Sequence, residues 1–266
     1  MTSILVPPQP KVQQSRIDMA GLEWTTFQSL VAELMPDADL TLTYGGEGLS
    51  VSQRFVDAEP PVAHVCLRGL SWQLYQALMQ DVGDGRIWRA AYSQGVLELR
   101  RPSYPNEEAK QILQDFVTTV VDELGIEARS LGALTLERKD LEKAIEPDSC
   151  FYIQSEALVR GKSDIRLPDD PPPDLAIESD HANSSLNKHN IYAALGVPEI
   201  WRYRRQQLEI YLLDGTTYVR SPQSRVFPFL PIAEVPDFIE SSREIGQRKA
   251  VKAFRARIQS LITESN

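Results

Sequence analysis

The sequence predicts an α/β or α+β fold with a central mixed β-sheet flanked by helices. Segments with the apolar spacing of amphipathic helices alternate along the chain with short segments rich in β-branched and aromatic residues. One short segment, residues 174–178, is almost wholly apolar and follows three consecutive prolines. That pattern is typical of a strand buried on both faces of a sheet, which places it in the centre of the fold.

The composition is that of a folded protein with a large core. The chain has 266 residues, of which 42% are hydrophobic and 24% charged, enough for one large domain or two modest ones. No apolar run reaches the ~20 residues needed to cross a bilayer, and the first residues lack the pattern of a signal peptide. Cys66 and Cys150 are too few for a disulfide framework or a four-cysteine zinc site. We therefore expect a cytoplasmic protein with reduced thiols and no membrane partner.

The charge is acidic overall but unevenly distributed. A net charge of −9 argues against a general nucleic-acid coat protein, which would usually be basic. It does not exclude an enzyme acting on DNA, because carboxylates clustered around a metal add negative charge locally. Basic residues concentrate at 201–205 and at 243–257, where six of them face a single acid. The second group is either the solvated face of a helix or a surface that binds phosphates.

The N-terminal part of the chain contains an internal repeat. Residues 1–20 are polar with three prolines by position 10, which indicates a flexible arm. Residues 21–51 align without gaps with residues 69–99 at seven identical positions, first with helical and then with β-like spacing. The predicted domains are a flexible arm (1–20), a duplicated helix–hairpin unit (21–60), a main domain (69–240) and a C-terminal basic amphipathic helix (241–266).

The elements of the main domain follow from local signals. After the helix of the second copy, a hairpin turns around Ser93-Gln94-Gly95. The next helix runs from a cap at Asn106 to Gly125 and carries a continuous apolar stripe. Strand-like segments follow at 128–138 and 149–154, and Asp214-Gly215 marks a later hairpin.

Two carboxylates are predicted to meet at one end of the sheet. If residues 149–154 and 174–178 form neighbouring antiparallel strands, Asp148 lies beside Glu178 while Asp174 lies at the far end. Such a pair of oxygen ligands suits Mg²⁺ or Mn²⁺. The alternative is that Asp148 is a turn residue and Glu178 an exposed strand end. A carboxylate that closes an apolar strand is costly without a partner, which favours the metal site for Glu178.

Lys188 is predicted to reach the same end of the sheet. A helix capped by Ser184 or Ser185 extends to Leu195 and stops at Gly196. Within it Lys188 shares a face with the apolar residues, so its amine points inward from the first turns. There it could orient or deprotonate an attacking water, or neutralise a phosphate. The alternative is a lysine whose amine extends from the helix edge into solvent.

The segment from residue 146 to 218 resembles the Uma-two-type restriction endonucleases of the PD-(D/E)XK nuclease superfamily. The run IYAALGVPEIWRY is its most specific part, and the resemblance covers residues 69–240. It implies a restriction endonuclease-like core and a Mg²⁺- or Mn²⁺-dependent endonuclease that hydrolyses DNA. It also implies that Asp148 and Glu178 bind the metal, that Lys188 acts in place of the usual Glu-x-Lys lysine, and that Glu98 adds a further catalytic or metal contact.

A non-catalytic role is the competing interpretation. The repeat and the acidic charge favour a binding or assembly module that keeps the nuclease fold without activity, whereas Asp148, Glu178 and Lys188 favour the enzyme. His181 and His189 are eight residues apart without a nearby third ligand, which is a weak zinc pattern. The apolar stripe of the first repeat copy must pack against the main domain or against a second subunit. In the second case the protein would be a homodimer.

Overall fold

A computed structural model describes residues 12–46, 48–56, 64–179 and 186–265. Among these residues no helix combines the length and the apolar character that spanning a bilayer requires. The chain divides into two compact units, the first Met1–Trp88 with Gly95–Arg101 and the second Arg89–Gln94 with Pro102–Asn266. The predicted main domain begins at residue 69. In the structure, the helix of the second repeat copy instead belongs to the same unit as the first copy.

Strands and helices alternate along the whole chain. The first seven elements are β1 (Val12–Ala20), α1 (Trp24–Glu33), β2 (Leu40–Gly45), β3 (Gly48–Val56), β4 (His64–Arg68), α2 (Trp72–Val82) and β5 (Arg89–Ser93). The next seven are β6 (Val96–Arg100), α3 (Tyr104–Leu124), β7 (Arg129–Gly132), β8 (Leu136–Arg138), β9 (Lys143–Ile145), β10 (Ser149–Tyr152) and α4 (Glu156–Val159). The last seven are β11 (Leu175–Ser179), α5 (Lys188–Leu195), β12 (Glu199–Arg204), β13 (Gln207–Asp214), β14 (Thr217–Ser221), α6 (Val235–Ile245) and α7 (Gln247–Ser265).

The first unit begins with a strand where the sequence predicts a flexible arm. Residues 12–20 form β1, which pairs antiparallel with β3 along its whole length, so the predicted arm is wrong for these residues. Residues 1–11 lie outside the described part of the chain. Among residues 14–20 of β1 the buried ones are Ser15, Ile17 and Met19, so the alternation that identifies the strand is carried by few apolar residues. Pairing with the distant β3 decides its structure.

The two repeat copies have the same strand register. In the first copy Ile17 of β1 lies opposite Val51 of β3. In the second copy Val65 of β4 lies opposite Leu99 of β6. Each partner is displaced by the same 48 residues that align the two copies in sequence. The sequence repeat is therefore also a structural repeat of the strand pair.

The helices of the two copies contact each other reciprocally. The carboxylate of Glu33, at the end of α1, accepts hydrogen bonds from the backbone nitrogen (2.7 Å) and Oγ (2.9 Å) of Ser71, the N-cap of α2. The carboxylate of Asp81, near the end of α2, accepts a hydrogen bond from the backbone nitrogen of Glu23, the N-cap of α1, at 3.0 Å. Asp81 lies 48 residues after Glu33, and Ser71 lies 48 residues after Glu23, so the two contacts join equivalent positions of the two copies. The two copies are thus related by a local two-fold axis, and each provides a carboxylate to the helix N-terminus of the other.

The second unit is built on a mixed six-stranded sheet. Its strand order is β14-β13-β12-β11-β10-β7, and all neighbours are antiparallel except the parallel pair β11 and β12. Helices α3, α6 and α7 cover one face through a large apolar core that includes Ile177 and Trp201. Helix α5 covers the other face through a second core that includes Ala176 and Ile200. The sheet therefore lies between helices, as predicted.

Two helices begin at other residues than predicted. Helix α3 starts at Tyr104 after the N-cap Ser103, and not at Asn106, because Pro105 is compatible with a first helical turn. It ends at Gly125, which has a left-handed conformation, as predicted. The predicted caps of α5, Ser184 and Ser185, lie outside the described residues. Helix α5 begins at Lys188, and Asn187 is its cap, accepting a hydrogen bond from the backbone of Asn190 at 3.3 Å.

The basic C-terminal segment forms two helices, α6 and α7, whose arginines pair with acids of the same unit. Arg257 lies 2.8 Å from Glu234, and Arg255 lies 3.2 Å from Asp122. Arg248 lies 3.7 Å from Asp115. These pairs favour the interpretation of a solvated, ion-paired helix face over a surface dedicated to phosphates.

Helix α7 is expected to be essential for the stability of the second unit. Phe254 is 2% exposed and stacks on Phe116 of α3 with ring centroids 4.1 Å apart. We expect Phe254→Ala to lower the free energy of unfolding by about 3–5 kcal/mol, since it removes a buried aromatic ring and leaves a cavity. Urea denaturation measures the change, and Arg248→Ala on the exposed side of α7 should alter it by no more than about 0.5 kcal/mol. Equal effects of the two variants would contradict the packing role of α7.

Candidate active site

Asp148 and Glu178 lie opposite each other at one end of the six-stranded sheet. In the antiparallel pair of β10 and β11, Ser149 faces Ile177, so the next pair outward in the same register is Asp148 and Glu178. Both carboxylates are only 3% exposed. Asp148 Oδ2 accepts hydrogen bonds from the backbone nitrogen and from Oγ of Ser179, both at 2.8 Å. The pair of acids expected from the sequence is therefore brought together.

Asp174 occupies the other end of the same strand pair and has a structural role. Its Oδ2 accepts hydrogen bonds from the backbone nitrogens of Ile153 (2.6 Å) and Ser155 (3.0 Å), and its Oδ1 accepts one from Ser155 Oγ (2.7 Å). These bonds fix the turn that leads from β10 into α4. Asp174 is thus remote from the pair of acids, as the strand order predicts.

Two residues of α5 bind the carboxylate of Glu178. Lys188 Nζ lies 2.7 Å from Glu178 Oε2. The hydroxyl of Tyr192 donates a hydrogen bond to Glu178 Oε1. Lys188 and Tyr192 are four residues apart and therefore lie one above the other on the same face of the helix. Helix α5 thus provides a donor to each oxygen of Glu178.

Tyr192 is a component of the site that sequence reasoning treated only as an apolar residue. Its side chain is fully buried. Burial raises the pKa of the Tyr192 phenol well above its usual value, and the charges of Glu178 and Asp148 raise it further. The phenol therefore remains protonated and acts as a hydrogen-bond donor. Its spacing of four residues from Lys188 places it on the same helix face, but that spacing does not distinguish a hydrogen-bonding phenol from another core residue.

The oxygen ligands of the site fit a hard divalent cation. Mg²⁺ in proteins is commonly held by one or two carboxylates and keeps several water ligands, so Asp148 and Glu178 are a sufficient protein contribution. In the part of the chain that the structure describes, no group of three or more histidine, cysteine or acidic residues converges to hold a metal.

The structure describes two of the remaining sequence candidates, His189 and Glu98. His181 lies outside the described residues. His189 packs against the ring of Tyr211 with centroids 4.4 Å apart, and burial lowers the pKa of its imidazole. Glu98 is buried in β6 of the first unit, opposite Cys66 of β4. Its role in catalysis stays a prediction.

Removing the hydroxyl of Tyr192 is expected to weaken metal binding. Tyr192→Phe keeps the ring but frees one oxygen of Glu178 to rotate, and partners of this kind are commonly worth 10- to 100-fold in metal affinity. We expect a loss of roughly tenfold or more in Mn²⁺ affinity by calorimetry. Tyr152→Phe is the matched control, because Tyr152 is equally buried and donates to the carbonyl of Pro171 at 3.0 Å. Equal Mn²⁺ affinities of the two variants would show that Tyr192 only fills space.

In this chain a mixed sheet lies between helices, and two acids and a lysine lie at one end of that sheet. The chain matches the Uma2 family, described as "Putative restriction endonuclease", over residues 72–245 and belongs to that family. A solved structure described as "a putative nuclease belonging to DUF820" from Anabaena variabilis is 15% identical, with a TM-score of 0.38, and the similarity covers 61% of this chain and 90% of that one. A search of curated proteins finds no match. The predicted family is confirmed, and so is the predicted mixed sheet flanked by helices.

Proposed function

We propose that this protein is a Mg²⁺- or Mn²⁺-dependent endonuclease that hydrolyses phosphodiester bonds in DNA. The observation that carries the proposal is the cluster at the sheet end, where buried Asp148 and Glu178 lie opposite each other and Lys188 contacts Glu178 at 2.7 Å. Two buried acids with one lysine provide both ligands for a divalent cation and a positive charge for a phosphate. Membership of a family of restriction endonucleases supports the same reaction class.

Each residue of the cluster has a distinct proposed role. Asp148 and Glu178 would hold the cation, which when bound supplies a Lewis acid for the phosphate and lowers the pKa of a water ligand. The backbone and hydroxyl of Ser179 orient Asp148, and Tyr192 orients Glu178. Lys188 neutralises charge on the phosphate or orients the attacking water. Glu98 is proposed as an additional contact, as the family resemblance implies.

Further parts of the proposal concern location and the N-terminal repeat. Cys66 and Cys150 are buried and form no disulfide within the described residues, which supports a reducing, cytoplasmic location. The first repeat copy has Ser50 at the position equivalent to Glu98, so it lacks the corresponding acid. We propose that it has a structural or partner-binding role without an active site of its own, and that a homodimer, if one forms, uses this copy.

The proposal is tested by assaying the full chain on single- and double-stranded DNA and RNA, with Mg²⁺, Mn²⁺ or no divalent cation. We expect cleavage of DNA that requires the cation and that disappears in Glu178→Ala. Cleavage that persists with a chelator, or that is undiminished in Glu178→Ala, would overturn the proposed mechanism. Cleavage of RNA alone would overturn the proposed substrate.

A nuclease-fold binding module without activity is the second candidate function. The internal repeat and the net charge of −9 favour it. In the same assay this candidate predicts no cleavage under any cation. Cation-dependent cleavage would exclude it.

A further inference from the structure

A row of four charged residues crosses one face of the six-stranded sheet. Glu178 of β11 is in register with Arg202 of the parallel strand β12, and Arg202 is in register with Glu209 of β13. Asp148, the residue before β10, follows on the other side of Glu178, and its carboxylate accepts hydrogen bonds from Ser179. Residues opposite each other on neighbouring strands project to the same face, and adjacent strands are about 4.8 Å apart. Arg202 therefore stands next to the proposed metal ligands, one strand further along the sheet.

The alternation along β12 places Arg202 on the side of the sheet that faces α5. Its neighbours Trp201 and Tyr203 are 1% and 2% exposed and belong to the core on the opposite face. Arg202 itself is half-buried. The aromatic residues of this strand thus serve packing, whereas Arg202 is available on the face that carries Glu178.

Both carboxylates that flank Arg202 have other partners. Glu178 binds Lys188 and Tyr192. Glu209 accepts a hydrogen bond from Tyr211 at 3.0 Å and lies 3.4 Å from Arg220. Across the described ranges of the chain, no carboxylate oxygen lies within 4.0 Å of the Arg202 guanidinium.

The charge of Arg202 also acts on two nearby rings, those of His189 and Tyr211. Burial lowers the pKa of His189, and the positive charge of Arg202 lowers it further. Burial raises the pKa of the Tyr211 phenol, and the charge of Arg202 opposes that rise. Neither ring supplies the negative charge that would neutralise the guanidinium.

A half-buried guanidinium without an acid is unfavourable unless an anion binds it, because burial removes part of its hydration. Arginine is well suited to phosphate, since its planar fork donates two parallel hydrogen bonds. We propose that Arg202 binds a phosphate group of the nucleic-acid strand next to the phosphate held at Asp148 and Glu178. This inference rests on the proposed function and adds a substrate-binding residue on β12 to the site.

The test is the salt dependence of DNA binding by the full chain, measured with Ca²⁺ in place of Mg²⁺ so that cleavage does not interfere. Removing one cation that binds a phosphate should reduce the slope of log K against log salt by about 0.9. For Arg202→Gln we expect that reduction, together with binding about tenfold weaker at ~0.1 M salt. Arg202→Lys, which keeps the positive charge, should retain the slope. Mn²⁺ affinity should not fall in either variant.

Arg160→Gln is the control. Arg160 directly follows α4, at the end of the strand pair opposite to the proposed site, and it forms an ion pair with Glu156. It should leave the salt slope unchanged. The inference would be overturned if Arg202→Gln had the same salt slope as the unaltered protein. It would also be overturned if Arg202→Lys reduced the salt slope as much as Arg202→Gln does. An unaltered protein that binds neither DNA nor Mn²⁺ would instead overturn the proposed function, on which the inference depends.

Discussion

Replacing Glu178 with glutamine is expected to reduce DNA cleavage by roughly a thousandfold or more. A bound metal contributes several kcal/mol to stabilising charge in the transition state, and each ~1.4 kcal/mol corresponds to a factor of ten in rate. The glutamine keeps the shape of the side chain but offers a single neutral oxygen. Lys188 would then lose the carboxylate it contacts at 2.7 Å. Both effects act on the same site, so we expect little residual activity at any Mg²⁺ concentration.

Asp174→Asn is the matched control for this experiment. Asp174 is also a buried carboxylate, 8% exposed, and immediately precedes β11, the strand that carries Glu178. Its hydrogen bonds hold a turn, so we expect its replacement to reduce stability while sparing Mn²⁺ binding. Calorimetry with Mn²⁺ and a cleavage assay separate the two outcomes. Undiminished Mn²⁺ affinity in Glu178→Gln would remove Glu178 from the proposed metal ligands.

Replacing Lys188 with methionine is expected to lower cleavage by about 10²- to 10⁴-fold, the usual contribution of a group that transfers or orients a proton. Metal binding should survive, because the ammonium group cannot be a ligand. Methionine preserves most of the side chain's length, so the packing of α5 is retained. The predicted signature is therefore a large fall in kcat with an almost unchanged dependence of activity on Mn²⁺ concentration.

Lys162→Met provides the comparison for Lys188. Lys162 also pairs with a buried acid, Asp170, but in the loop that follows α4. Removing it should leave kcat unchanged. Full activity of Lys188→Met would assign the lysine a purely structural role as the partner of Glu178.

The proximity of Asp148 and Glu178 could be predicted from the sequence because it requires only one assumption about how two strands pair. Once the two short apolar segments are taken as antiparallel neighbours, the ends that approach each other are fixed by geometry. Lys188 follows from helical spacing in the next element along the chain. Each of these inferences uses local patterns, which a single sequence carries well.

Tyr192 and Arg202 could not be assigned in this way. Tyr192 lies on an apolar helix face, where a phenol resembles any other large core residue until its hydrogen-bond partner is known. The importance of Arg202 depends on the register between β11 and β12, which are parallel and joined by a long connection that includes α5. The strand β1 was missed for a related reason, because its pairing partner β3 is separated from it by a helix and another strand.

The reciprocal contacts of Glu33 with Ser71 and of Asp81 with Glu23 have a consequence for assembly. Identical surfaces that exchange contacts about a two-fold axis are the arrangement of an isologous dimer. In this protein both halves belong to one polypeptide, so the association is intramolecular and proceeds at an effective concentration set by the short intervening segment. The protein thus carries a tethered substitute for a second subunit at this surface, and dilution cannot separate the two halves.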